Sequence, residues 1–544
     1  MRILFVILSL LTGLAASAKP GDALKYLPVQ DGGRIKPYDS FSREVLEIVY
    51  GKTKYEGRAA TEIIMTWMLS PQAWTDKKIF EVRNHQVLES LNLPKDQRYF
   101  SGEELFAGER FNLLRQELQG KRETKEKLNP YFQALQRLEN QFFVFQEVAA
   151  GRMLKVVPPK EGDNWIAVAD LEGETQAKFM DLTKAFVTYI GAMAEGKPTT
   201  DVGAELDKAV ASFEQSAGAN NPALYEATKK VGAEVHYNSF HPFRWAYVFY
   251  FLAFLSLLLV WTLNKESIMK VAWVFLAIGF ALNTYGFALR MYIMERAPVS
   301  NMYETVVWVA WGTVLFAAIL EIIYKFRLIL VAGTLVGAFG LVIADFAPAV
   351  LDPTLQPLEP VLRSNYWLTI HVMTITISYA AFFLAFGLGD IGLIYYLRGE
   401  EKHQDKIKAI VTGIYRAMQI GVAFLAPGII LGGIWADYSW GRFWGWDPKE
   451  TWALIALLGY LAVLHARYAG MIKHFGMVVT AVVTFSLVIM AWYGVNFVLG
   501  AGLHSYGFGA GGVEYVSAFV AAHILFIIYV GIVRQGKAKK QAKT

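Results

Sequence analysis

At 544 residues the chain has room for more than one domain, and 54% apolar against 18% charged residues place it among membrane proteins. The net charge of +5 is small, and its excess gathers at the C-terminus (Arg534, Lys537, Lys539, Lys540, Lys543), which reads as a cytoplasmic anchor and not as a nucleic-acid surface. Zero cysteines exclude a disulfide, a thiolate metal site, thiol redox chemistry and the Cys-x-x-Cys-His of a c-type cytochrome.

The chain opens with Met1-Arg2, an apolar run from Ile3 to Leu14, and Ala16-Ser17-Ala18. This is the pattern of a secretory signal peptide over residues 1–18, and about 12 apolar residues is short for a membrane span. Residues 19–240 are polar and contain no membrane-length apolar run. Apolar spacings of three and four over Gly102–Gln119 and Tyr131–Ala150 predict a mostly helical extracytoplasmic domain. Gly32-Gly33-Arg34-Ile35-Lys36-Pro37 reads as a turn entering it, and Gly196-Lys197-Pro198 as a break inside it.

Residues 241–534 change character. Nine spans are expected near 245–264, 271–290, 302–324, 328–350, 367–397, 413–435, 450–470, 475–498 and 514–533, followed by a basic cytoplasmic tail over 535–544. The fold class is therefore an all-α polytopic membrane protein preceded by a helical extracytoplasmic domain. With that domain outside, nine crossings leave the C-terminus inside. Lys and Arg then concentrate in the inner connections, while the outer ones hold only Arg290, Arg296, Arg363, Arg442 and Lys449. Charge asymmetry and leader agree on the orientation.

Five of the 15 tryptophans fall between residues 435 and 452, Trp435 and four more in the run Trp440-Gly441-Arg442-Phe443-Trp444-Gly445-Trp446-Asp447-Pro448-Lys449-Glu450-Thr451-Trp452. An interfacial aromatic belt accounts for one or two indoles at such a level. Five in so short a stretch, with glycines between them, suit a flat apolar ligand such as a porphyrin. Asp447, Pro448 and Glu450 read as N-cap, N1 proline and capping-box glutamate, which would fix the angle at which the indoles are presented. Of the nine histidines, His371 and His504 fall at the outer level of this loop, where two imidazoles can serve the two faces of one haem iron. His465 lies toward the inner end of the seventh span and His523 in the middle of the ninth, where it reads as structural.

The run Trp-Gly-x-x-Trp-x-Trp-Asp-x-x-Glu with a histidine on each side resembles the tryptophan-rich signature of haem-handling membrane proteins (CcsA or ResC, CcmC and CcmF). Arg296-Ala297-Pro298-Val299-Ser300-Asn301-Met302-Tyr303-Glu304, Trp367-Leu368-Thr369-Ile370-His371-Val372, Leu464-His465-Ala466-Arg467 and Gly502-Leu503-His504-Ser505-Tyr506 narrow the resemblance, over roughly 242–534, to the CcsA-type half of the system II cytochrome c synthase. CcmC is too short and CcmF has more spans. The segment opening at Gly33 resembles what precedes the CcsA portion in some fused CcsB–CcsA chains.

The resemblance implies covalent attachment of haem b to an apocytochrome c bearing reduced Cys-x-x-Cys-His. His371 and His504 match the outer iron ligands, His465 matches an inner haem ligand, and Trp440, Trp444, Trp446 and Asp447 match the loop that positions the ring. Arg442 is the favoured partner of a haem propionate because it sits within the loop. The family's second inner histidine belongs to a CcsB/ResB-like subunit, which is implied as a partner together with a thioredoxin-like thiol reductant. The site and the N-terminal domain are expected on the periplasmic side of a bacterial inner membrane. The alternative is a haem exporter or binding module that hands haem to a separate ligase.

Overall fold

The computed structural model describes residues 19–541 apart from 107, 125–127, 264, 348–349, 359–363 and 500–511. The expected signal peptide, Arg363 and His504 lie outside the described residues. The chain divides into two compact units, Met1–Ser239 and Phe240–Thr544.

The first unit is built mainly from helices, among them Tyr38–Tyr50, Pro130–Ala149, Gly173–Ala194 and Thr200–Asn220. Their inward faces meet in a core that includes Phe41, Trp67, Phe80, Phe100 and Phe186. The helix break expected at Gly196 falls between the last two of these helices. The unit also contains strands that the helical reading passed over. Arg34–Pro37, Pro28–Asp31, Lys155–Val157 and Ile166–Ala167 form, in that spatial order, an antiparallel sheet. Each strand is two to four residues long, too short to display an alternating pattern. Gly32 and Gly33 make the first hairpin at φ 57° and 78°, which glycine adopts at little cost.

That hairpin carries buried charge. Lys36, 1% exposed, donates to Asp31 at 2.8 Å and to Glu44 at 2.6 Å. Arg34 makes a two-pronged pair with Glu234, both contacts 2.7 Å, and Ser40 Oγ donates to the same carboxylate. The Arg-x-Lys motif thus ties the start of the unit to the helix Val231–Phe240 that precedes the first span.

The second unit is a multi-pass membrane bundle. Nine helices among the described residues are long and apolar enough to cross a membrane, as expected. Its helices are α1 (Pro242–Leu263), α2 (Glu266–Met294), α3 (Met302–Tyr324), α4 (Leu328–Phe346), α5 (Met373–Arg398), α6 (Gln404–Trp440), α7 (Pro448–Tyr468), α8 (His474–Ile489) and α9 (Val513–Gln541). At 37 residues α6 is far longer than its apolar run, because the polar residues from Gln404 continue the helix beyond the apolar stretch. Close packing of α5 on α6 depends on small residues, the usual device where water does not drive association. Ideal Cβ atoms at Gly421, Gly428 and Gly432 of α6 would fall 2.2 Å from Phe382, 3.1 Å from Ile375 and 2.5 Å from His371. The three partners form one stripe along α5 and the turn before it, and His371 ends that stripe.

Candidate functional site

The N-terminal ends of α3, α5 and α7 and the C-terminal ends of α6 and α8 meet at one end of the bundle. Between them lies a cleft with about 1070 Å³ of empty space, counting its open mouth.

His371 stands on its wall. The turn Leu368–Val372 before α5 is π-helical, a local widening that recurs at functional sites. The imidazole Nδ1 lies 2.9 Å from the Gly428 carbonyl of α6. A carbonyl can only accept, so Nδ1 carries the proton and the lone pair resides on Nε2, the arrangement of a metal-ligating imidazole. Trp435 meets the ring edge-on at 5.7 Å. The bare Cα of Gly432 makes room for the imidazole, since a Cβ there would fall 2.5 Å from its Cε1.

The tryptophan loop forms the opposite side. Helix α6 ends at Gly441 in the left-handed conformation, and α7 begins with the expected capping box. Asp447 Oδ1 accepts from the amides of Lys449 and Glu450, while Glu450 Oε2 accepts from Asp447 N at 3.3 Å and Gly445 N at 2.7 Å. Trp446 is held at φ 56° and is 70% exposed, a conformation and exposure unusual for a large side chain. Trp444 meets Trp446 edge-on at 5.8 Å and faces the cleft.

Of the residues singled out in the sequence, the cleft brings together His371 and Trp444, with Asp447 shaping the loop behind them. Trp440 and Trp446 belong to the loop without lining the cleft. Arg442 turns toward the loop's interior. It donates to Glu450 at 3.2 Å, lies 5.9 Å from the Trp440 ring, and occupies the space that a Cβ at Gly445 would need. Arg296 donates to the Gln356 carbonyl at 2.6 Å. His465 is on an exposed face of α7 with Ile455 and Leu458, and its Nδ1 is 2.7 Å from the Leu461 carbonyl. His523 sits elsewhere in the bundle, 3.5 Å from Asp390.

Some lining residues carry no sequence signal of their own. The end of α8 continues into a second π-helical segment, Met490–Leu499, which brings Trp492 and Asn496 to the cleft. Nε1 of Trp444, Nε1 of Trp492 and Oδ1 of Asn496 are buried there without a hydrogen-bond partner. Orphaned polar atoms are costly, so three at one cleft point to a ligand that supplies the missing partners. Behind this wall Glu304, 1% exposed, accepts from Arg290 and from Ser300, and thereby fixes the Arg296–Glu304 segment that forms the cleft's third side.

Comparison with known proteins bears on this same region. The model of the cytochrome c assembly protein family matches residues 299–504, a range that contains the cleft walls. The protein NrfI of Wolinella succinogenes is 28% identical over 509 residues, covering 88% of this chain and 53% of its own length. The chain thus spans about half the length of that relative. The cytochrome c biogenesis protein CcsA of Synechococcus sp. (strain CC9902) is 32% identical over 290 residues, covering 47% of this chain and 95% of that protein. CcsA of Guillardia theta is 35% identical over 235 residues, covering 39% of the chain and 76% of that protein. A bundle whose matched segment encloses a histidine- and tryptophan-lined cleft, and which covers 95% of one CcsA protein and 76% of another, belongs to the CcsA-type cytochrome c assembly family.

Proposed function

We propose that the chain presents haem b to apocytochrome c and promotes its covalent attachment, as the CcsA-like subunit of a system II cytochrome c synthase. The observation that carries this reading is His371. Its proton is committed to a backbone carbonyl, its Nε2 lone pair is suited to iron, and it stands in a cleft walled by Trp435, Trp444 and Trp492. His504 is the second axial ligand in this reading. Each cysteine S–H of the apocytochrome adds across one haem vinyl group, sulfur bonding to one carbon and the proton to the other, so no oxidant is consumed. The chain's contribution is to hold and orient the ring. Trp444 would lie against the ring, with Asp447 anchoring the loop that also carries Trp440 and Trp446.

His465 faces away from the bundle, which suits an inner haem ligand completed by a CcsB/ResB-like subunit. An imidazole on an exposed membrane face is costly unless something covers it. With no cysteine of its own, the chain depends on a thioredoxin-like reductant to keep the apocytochrome thiols reduced. The cleft and the N-terminal unit are assigned to the periplasmic side of a bacterial inner membrane.

The test is co-expression with a CcsB-like partner and a reporter apocytochrome in a host lacking its own maturation system. Covalent haem, read by haem staining after denaturing electrophoresis, is expected with the native chain and lost with His371→Ala and with His504→Ala. Haem that accumulates on the chain with no thioether formed would replace the synthase with an exporter or carrier. Undiminished attachment in both variants would remove the assigned ligands.

A further inference from the structure

A second cavity lies beside the cleft, about 1440 Å³ counting its open mouth. Its walls come from α3, α4, α5, the end of α8 with the π-helical segment after it, and the first turns of α9. Among the described residues that line it, none is charged. The one aliphatic hydroxyl, Thr305 Oγ1, is spent on the Asn301 carbonyl at 2.9 Å. Such a wall does not hold water, which needs about two to four polar partners.

The mouth shows which medium reaches this space. Phe339 and Ile343 of α4 and Tyr515 of α9 line the cavity and are also exposed on the bundle's surface. Exposed apolar residues on membrane-spanning helices face hydrocarbon tails. The occupant is therefore drawn from the bilayer and is itself hydrocarbon. Haem is a poor match, since its propionates would find no cation there. A spanning helix, about 10 Å across and ~30 Å long, takes more room than the cavity offers. A phospholipid acyl chain is narrow, flexible and apolar throughout, and meets each condition.

Position gives such a chain a task. Thr305, Tyr379 and Trp492 line both the cavity and the cleft, so at these residues a single side chain separates the two. Trp492 belongs to Met490–Leu499, where the regular α-helical bonds are given up for π-helical ones. Packing on its far side therefore decides where that wall of the cleft stands.

We propose that a phospholipid acyl chain enters between α4 and α9, fills this cavity and braces the partition at Tyr379 and Trp492, so that the cleft holds haem best in the lipid-bound protein. The lipid site stands on the cavity's own geometry, while its effect on the cleft rests on the haem reading.

The experiment uses the full chain in detergent and a phosphatidylethanolamine with a photoreactive diazirine midway along one acyl chain. After illumination, cross-linked residues are located by mass spectrometry. Labels are expected at the rim and also deep in the cavity, at Val309 of α3 and at Val488 of α8, which is buried. Val309→Trp fills the space and should reduce the Val488 label several-fold, with Val516→Trp repeating the test should the first variant fail to fold. Leu525→Trp, at an exposed residue of α9 outside the cavity, should leave the label unchanged. Stripped of phospholipid, the native chain should bind haem several-fold more weakly in a Soret titration and recover when phosphatidylethanolamine is restored. Val309→Trp should no longer respond to lipid. Labels confined to the rim, or a Val488 label that survives both filling variants, overturn the lipid site. So does loss of that label on adding haem to His371→Ala, which would place haem in the cavity, or on adding a CcsB-like subunit, which would place the partner there. Haem affinity indifferent to lipid, with the Val488 label intact, overturns the bracing role. A chain that keeps the label and takes up no haem, with or without lipid, leaves the lipid site standing and defeats the haem reading instead.

Discussion

Two polar regions lie side by side at one end of the bundle, and they are built on opposite principles. Around Glu304 both carboxylate oxygens and the Arg290 guanidinium are answered. One carboxylate oxygen takes Nε and an Nη of Arg290, the other takes the amide and hydroxyl of Ser300, and Arg290 also donates to the Pro353 carbonyl at 3.0 Å. The cleft beside it leaves Trp444 Nε1, Trp492 Nε1 and Asn496 Oδ1 unanswered, and its loop holds Trp446 in left-handed backbone. A closed network indicates a structural role. An open one, next to space, indicates a ligand.

The largest effect should come from breaking the closed network. Glu304→Ala leaves Arg290 buried beside no carboxylate and should cost about 3–5 kcal/mol. Thermal unfolding in detergent should show a severe loss, with Glu304→Gln less damaging because the amide keeps one acceptor. An unchanged melting temperature in Glu304→Ala would deny that this corner holds the wall together.

A half-buried polar group with no ligand role should affect stability alone. In the N-terminal unit, burial raises the Glu214 carboxyl from 4.5 to about 7. The folded unit then retains a proton that the unfolded chain releases, so this group's contribution is fullest below 4.5 and is lost as pH rises toward 7. Glu214→Gln should flatten that decline and stabilise the unit by ~1–3 kcal/mol at pH 8. Denaturant melts across pH would check it, and a native unit equally stable at pH 4.5 and pH 8 would contradict it.

In the cleft, a change that leaves the fold intact should affect binding. Gly432→Ala puts a methyl where the His371 imidazole stands, and haem affinity should fall about tenfold or more while the melting temperature moves little. Gly531→Ala on α9, where a Cβ meets nothing within 4 Å, is the matched control and should bind haem normally. The smallest effect separates an orphaned indole from a satisfied one. Trp492→Phe removes an unpartnered N–H and should leave the empty protein as stable or ~1 kcal/mol more so, whereas Trp311→Phe removes a bond to Thr284 Oγ1 at 2.9 Å and should cost ~1 kcal/mol. Equal losses in the two variants would erase the distinction.

The large features of this molecule were legible in its sequence for physical reasons. A span needs a long apolar run, so nine runs predicted nine helices, and the Asp447–Glu450 capping box is written in residue type and spacing. The alignment of His371 with the tryptophan loop followed from counting crossings. What stayed hidden depends on geometry that residue types do not encode. The π-helical turns at Leu368–Val372 and Met490–Leu499 arise from a shift in hydrogen-bond register, so Trp492 and Asn496 looked like ordinary span residues. Arg442 and Lys449 are both outward cations in the sequence, and place within the loop favours Arg442. Their difference depends on Gly445, whose missing side chain lets the guanidinium fold back onto Glu450 while Lys449 faces the cleft. The short strands of the N-terminal unit lacked the length to show a period.

The most direct test of the account is the reduced absorption spectrum of the chain purified from haem-replete membranes, alongside His371→Ala and His523→Ala. The account predicts a bis-histidine haem spectrum in the native chain, lost or strongly altered in His371→Ala and retained in His523→Ala. A native spectrum that survives His371→Ala unchanged would contradict the central claim that this cleft is the haem site.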